Sequence, residues 1–216
     1  MPGLVPGIHV FPVRREMKIV DPRDKPGHDG SAINRVAFLA MNIRTPRLLL
    51  RALELADASR ISLLAGDYDV ASMTGTIPHP YGEEQAAEWI ASALAGEEGV
   101  VFAIANGGLL IGCTGYRAFG EDHAELGYWI GKPYWGLGYA SEAVRALIVY
   151  AFEKDGFDYL TVGHFTDNLA SARIIAKFGF VPQGRQVRDC AARGVKAHCL
   201  TYRLERAAAL AGFLRT

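Results

Sequence analysis

The sequence predicts an α+β domain built on a mixed sheet, and three observations carry that reading. Two apolar runs, 100–105 and 109–116, flank Asn106-Gly107-Gly108, the turn chemistry and alternation of a β-hairpin. An alternating strand over 124–130 then runs through a glycine-containing turn into a helix with buried face Ala140, Ala143, Val144, Leu147, Ile148, Ala151 and Phe152. Beyond that helix, strand and helix alternate once more. Strands first and helix-strand-helix-strand afterwards fit an α+β sheet rather than a doubly wound parallel one.

Taken in chain order, 48–52 is the first strand. Asp57 caps a helix running to Leu64. A polar stretch over 66–80 contains Thr74-Gly75-Thr76 and Pro78-His79-Pro80. A second helix over 83–94 places Ala86, Ala87, Ile90 and Leu94 inside. The hairpin and the 124–130 strand follow. Gly156 closes the long helix, and 159–162 is a short buried strand. Thr166-Asp167-Asn168 opens the next helix, with Leu169, Ala172, Ile175 and Phe178 on its inner face, and Gly179 stops it. Late strands fall at 180–184 and 196–204, which makes seven, and 206–216 is a short terminal helix or tail.

The turn Gly136-Leu137-Gly138 is the chemically suggestive feature. Glycine lets the backbone bend sharply and approach a ligand closely. The helix start behind it offers unpaired N–H groups and the positive end of the helix dipole, a seat for phosphate. A plain strand-to-helix turn would look the same. Two phosphate motifs fail: Tyr139-Ala140 replaces the Lys-Ser/Thr of a Walker loop, and the strands preceding the turn do not suit the opening βαβ unit of a dinucleotide fold.

Composition bounds the rest. The chain has 216 residues, enough for one domain with a proper core. Its 23 basic and 23 acidic residues cancel, with no dense basic run, which argues against nucleic acid as a partner. Cys113, Cys190 and Cys199 are odd in number and scattered, as suits a reducing cytoplasm. The six histidines lack ligand spacing, so no metal is expected. No segment reaches the roughly 18 apolar residues of a membrane span.

Residues 1–40 differ from the remainder. They are rich in Pro-Gly turns without sustained periodicity, lack the charged start and apolar core of a signal peptide, and resemble translated palindromic repeat elements. They are expected to be a disordered extension or a mis-assigned start ahead of Met41, with a partner-binding tail as the alternative.

Three blocks in order, Thr45-Pro46-Arg47-Leu48-Leu49-Leu50-Arg51, Trp135-Gly136-Leu137-Gly138-Tyr139-Ala140, and Asn168-Leu169-Ala170-Ser171 through Lys177-Phe178-Gly179-Phe180, resemble the GCN5-related N-acetyltransferase (GNAT) superfamily, within it the Rim-type ribosomal-protein alanine N-acetyltransferases. The resemblance covers about 45–205, within a domain set at 41–205. It implies a mostly antiparallel sheet of about seven strands with helices on both faces and two splayed central strands. It also implies acetyl-CoA as co-substrate, a primary amine acceptor (a peptide N-terminus or small molecule), and a monomer or homodimer.

The same resemblance assigns residues. Backbone N–H groups of Leu137, Gly138, Tyr139 and Ala140 would hold the pyrophosphate, and the strand over 125–130 would pair with the pantetheine arm. An amide at Trp129 or Ile130 would meet the carbonyl oxygen. Asn168 would order the loop, or simply cap its helix, and Ser171 would face the sulfur. Glu125 is the favoured base, with His123 and His164 behind it. Two positions depart from the family: Trp135 replaces a Gln or Arg, and Ile175 replaces a tyrosine. Ile77 to Pro80 and 186–194, with Arg188, Asp189 and Arg193, would wall the acceptor cleft. A non-catalytic acyl-CoA sensor, an antibiotic or small-molecule acetyltransferase and an interaction module are the competing readings.

Overall fold

Gly107 and Gly108 take φ of 57° and 85°. Positive φ at both positions is the primed hairpin turn that Asn106-Gly107-Gly108 calls for. It joins β3 (Val100–Asn106) to β4 (Leu109–Phe119) as an antiparallel pair. The computed structural model describes residues 42–212. The expected extension 1–40, Met41 and residues 213–216 lie outside the described residues.

Around this hairpin stand β1 (Ile43–Arg44), β2 (Leu49–Arg51), β5 (His123–Ile130), β6 (Tyr159–Phe165), β7 (Val181–Cys190) and β8 (Val195–Glu205), in the order β1-β2-β3-β4-β5-β6-β8-β7. Every pairing is antiparallel except β5 with β6. The sheet has eight strands rather than about seven because Ile43–Arg44 adds a short edge strand. The late strands also run longer than expected. Residues 186–190, expected as loop, belong to β7, and only Ala191–Arg193 turns. Their exposed polar side chains hide the strand, as they do on a sheet edge.

Helices α1 (Ala58–Ala65), α2 (Tyr68–Ala71) and α3 (Glu83–Leu94) cover one face of the sheet. Helices α4 (Tyr139–Tyr150) and α5 (Leu169–Lys177) cover the other, and α6 (Arg206–Gly212) closes the described chain. Successive strand residues point to opposite faces. Tyr128 and Ile130 therefore join Val144, Leu147, Ile148 and Ile175, whereas Trp129 joins Ile61, Ile90 and Cys113. Each such fully buried side chain contributes roughly 1.5–3 kcal/mol.

Asp57 does not cap α1. Its carboxylate accepts from Arg51 at 2.7 and 2.8 Å and from the Glu54 amide at 2.9 Å, so it fastens the helix entry to β2 instead. The stretch 66–80 is more packed than its polarity suggests, with Ser72, Thr74 and Ile77 buried.

The parallel pairing of β5 and β6 is brief. It runs from His123 opposite Tyr159 to Leu126 opposite Val162 and then stops. Beyond it, Gly127 to Ile130 keep only β4 as a neighbour, and Gly163 to Phe165 keep only β8. The two central strands part there, leaving a wedge in the sheet.

Candidate active site

Three elements meet at the wedge: the end of β5, the start of α4 and the start of α5. Gly136 and Gly138 both adopt positive φ, 75° and 81°. Gly138 is the N-cap of α4, and its carbonyl accepts the Glu142 amide at 3.1 Å. The amides of Leu137, Gly138, Tyr139 and Ala140 donate to no acceptor among the described residues. Unsatisfied N–H groups at a helix start are where an anion is stabilised. A cavity of about 230 Å³ lies beside them, bounded by Ile130, Trp135, Gly138, Ala140 and Arg173.

The Thr45-Pro46-Arg47 block reaches this turn from the far edge of the sheet. Glu142 accepts from Thr45 Oγ1 at 2.6 Å, from the Arg47 amide at 2.9 Å and from Arg47 Nε at 2.7 Å. Despite partial burial, these donors hold the Glu142 carboxyl below its ordinary pKa. Arg47 also packs over the Tyr139 ring, 4.7 Å from its centroid.

On β5, Gly131 donates to Ile111 of β4 at 2.8 Å. Backbone groups alternate sides along a strand, so Trp129 turns its amide to β4 while Tyr128 and Ile130 face the wedge. The Ile130 carbonyl accepts from the Trp135 indole at 2.6 Å. Of the two expected amides, Ile130 alone opens on the gap. Trp135 acts here through its ring N–H.

Asn168 caps α5, accepting the Ser171 amide at 3.1 Å. Asn168 and Ser171 are both buried. The Ser171 hydroxyl neighbours that of Tyr128, whose phenol burial pushes well up.

The candidate bases fare differently. Glu125 lies on the Trp129 face, held by both Nη atoms of Arg188, each side chain about one-fifth exposed. A Cβ at Gly163 would stand 3.5 Å from Arg188 Nη1, so this pair borders the wedge. His123 stacks on Tyr159 at 4.6 Å and contacts Asp122 at 2.9 Å. His164 is buried with both ring nitrogens engaged, Nδ1 with the Phe165 carbonyl at 2.7 Å and Nε2 with Tyr202 at 3.1 Å. Because a carbonyl only accepts, Nδ1 carries the proton, and burial lowers the pKa. His164 is a satisfied strand-end histidine.

The charged residues expected to face the acceptor are tied within the protein: Arg188 to Glu125, Asp189 to Lys196 at 2.8 Å, and Arg193 to Asp167 at 2.7 Å. Ile77 and Pro78 do wall a cavity of about 370 Å³ on the Trp129 face, with Tyr81, Glu88 and Trp89. His79 instead contacts the Gly66 carbonyl at 2.9 Å. Two residues to which the sequence assigns no role lie against the turn and its cavity. Arg47 of the first block donates to the Leu137 carbonyl. Arg173 is an exposed cation on the α5 turn after Ser171, with no ion pair among the described residues. It lies three residues after Ala170, on the same helix face bordering the cavity.

Among the described residues, no cluster of three or more ligating side chains could hold a metal ion. None of the described helices is long and apolar enough to cross a membrane.

Comparison with known proteins identifies the family and the fold. The profile of the acetyltransferase (GNAT) domain matches residues 47–181. The uncharacterized N-acetyltransferase YoaA of Bacillus subtilis is 32% identical over 149 residues, spanning 66% of this chain and 84% of its own. A GNAT-family acetyltransferase from Bacillus anthracis superposes with a TM-score of 0.67 at 23% identity, over 76% of this chain and 98% of that one. The ribosomal L7/L12 alpha-N-protein acetyltransferase RimL, solved in complex with coenzyme A, gives 0.66 at 19% identity, over 78% and 99%. At such identities the structural likeness speaks for the fold alone.

Proposed function

The chain belongs to the acetyltransferase (GNAT) family and is an N-acetyltransferase, and on that footing we propose that it moves the acetyl group of acetyl-CoA onto a primary amine, at a protein N-terminus or on a small molecule, by direct attack. The observation that carries this reading is the group of unsatisfied amides, Leu137 to Ala140, beside a cavity and a parted strand pair.

In this proposal those four amides hold the diphosphate, and Arg173 supplies the positive charge that Trp135 does not. The free edge of β5 pairs with the pantetheine arm, and Asn168 orders the loop beside it. The Ile130 amide donates to the carbonyl oxygen as negative charge gathers there. The amine nitrogen attacks the carbonyl carbon; the C–N bond forms, the C–S bond breaks, and sulfur leaves as thiolate facing Ser171. Glu125 takes the amine proton, directly or through a water, as its contact with Arg188 loosens. The acceptor enters from the Trp129 face.

Labelled acetyl-CoA offered with a panel of N-terminal peptides and small amines tests the proposal. Transfer of label is expected. Binding without transfer would leave an acyl-CoA sensor, and absence of binding would overturn the cofactor site.

A further inference from the structure

Tyr128 occupies an odd place. Its side chain is fully buried beneath α4 and α5, yet its hydroxyl oxygen is sealed from solvent with no well-formed hydrogen bond. Leaving a buried hydroxyl unsatisfied is costly, and native interiors rarely tolerate it without reason. A phenylalanine would fill the same space without that cost. The neighbour of the hydroxyl is Ser171, itself buried, and the two side chains interact. Four residues beyond Ser171 the helix carries buried Ile175, so the phenol beside Ser171 comes from β5.

We propose that Tyr128 is a positioning residue for thiolate departure: it donates to Ser171 Oγ and so turns the Ser171 proton toward the sulfur. This rests on the acetyl-CoA reading above. As the C–S bond breaks, its electron pair goes to sulfur, which receives a hydrogen bond from Ser171. No proton leaves Tyr128, and burial, which disfavours phenolate, keeps it a donor throughout. The amine proton goes to the base.

Tyr128→Phe, Ser171→Ala and the double variant test this through thiol release from acetyl-CoA, with an amine panel or with water as acceptor. Tyr128→Phe is expected to lower kcat about tenfold, since Ser171, the donor to the developing charge, loses the hydrogen bond that orients it. Acetyl-CoA affinity should stay within about twofold and the melting temperature should change little, since phenylalanine fills the same buried space. The double variant should be no slower than Ser171→Ala, because the two act as one unit. Multiplying losses, or Tyr128→Phe turning over like wild type, would overturn the inference alone. A wild type that binds no acetyl-CoA in calorimetry would overturn it together with the cofactor site.

Discussion

Arg47 Nη1 donates to the carbonyl oxygen of Leu137 at 2.8 Å, tying the first strand region to a turn 90 residues away. The Leu137–Gly138 peptide is trans, so its carbonyl and the Gly138 N–H point in opposite directions. Holding the carbonyl toward Arg47 aims that N–H away from it. The guanidinium thus orients an amide it never touches, and preorganised donors cost nothing to align when an anion arrives.

Arg47→Ala should therefore weaken acetyl-CoA binding although Arg47 is not assigned a phosphate. A loss of about tenfold, or about 1.4 kcal/mol, is expected for one hydrogen bond to a loop that must then order itself. Arg47→Lys should recover little, since a point charge cannot hold Glu142 and Leu137 together. Calorimetry with both variants decides. Full affinity in Arg47→Ala would reduce the contact to packing.

Gly138→Asp should abolish acetyl-CoA binding. With φ at 81°, any side chain here is strained by about 1–2 kcal/mol. A Cβ would also stand 3.3 Å from the Arg47 guanidinium. Carboxylate charge at the helix N-terminus would repel a phosphate by the same field that attracts one. Gly138→Ala separates the two effects: it keeps the strain without the charge and should bind measurably, though less tightly. Unchanged affinity in Gly138→Asp removes the diphosphate from this turn.

Glu142 makes the Arg47 clamp pH-dependent. Its folded pKa lies below the ordinary carboxylate value because Thr45 and Arg47 donate to it. A depressed carboxylate contributes stability fully above its unfolded pKa, about 4.3, and loses it as pH falls through the lower folded value. Glu142→Gln should cost about 2 kcal/mol near neutrality, in the range of hydrogen bonds to a charged group. Melting curves of variant and wild type should converge toward pH 3. A constant gap across that interval would mean the side chain matters for packing alone.

Local chemistry made much of this legible. The Asn106-Gly107-Gly108 corner, the glycines before α4 and the Asn168 cap each depend on a few consecutive residues, so short windows reveal them. Long-range pairing did not show. Glu125 meets Arg188 across 63 positions, and its partner sits on an edge strand whose polar run, Gln183 to Asp189, reads as loop. Asp57 had the residue type and position of a cap, but Arg51 on the neighbouring strand claimed its carboxylate. Likewise, nothing local marks Tyr128; only packing beside Ser171 sets its hydroxyl apart.

The Glu125–Arg188 pair yields a test that separates chemistry from architecture. If Glu125 accepts the amine proton, Glu125→Gln should lower kcat about 10²-fold, the usual scale of general-base loss, while acetyl-CoA affinity holds. Arg188→Met should keep kcat near wild type, since it frees the carboxylate from its partner. It should lower the melting temperature, because a partly buried carboxylate is left without its cation. A purely structural pair behaves otherwise: both variants destabilise and neither slows turnover at saturating substrates. Equal turnover in Glu125→Gln would assign proton removal to another group or to water.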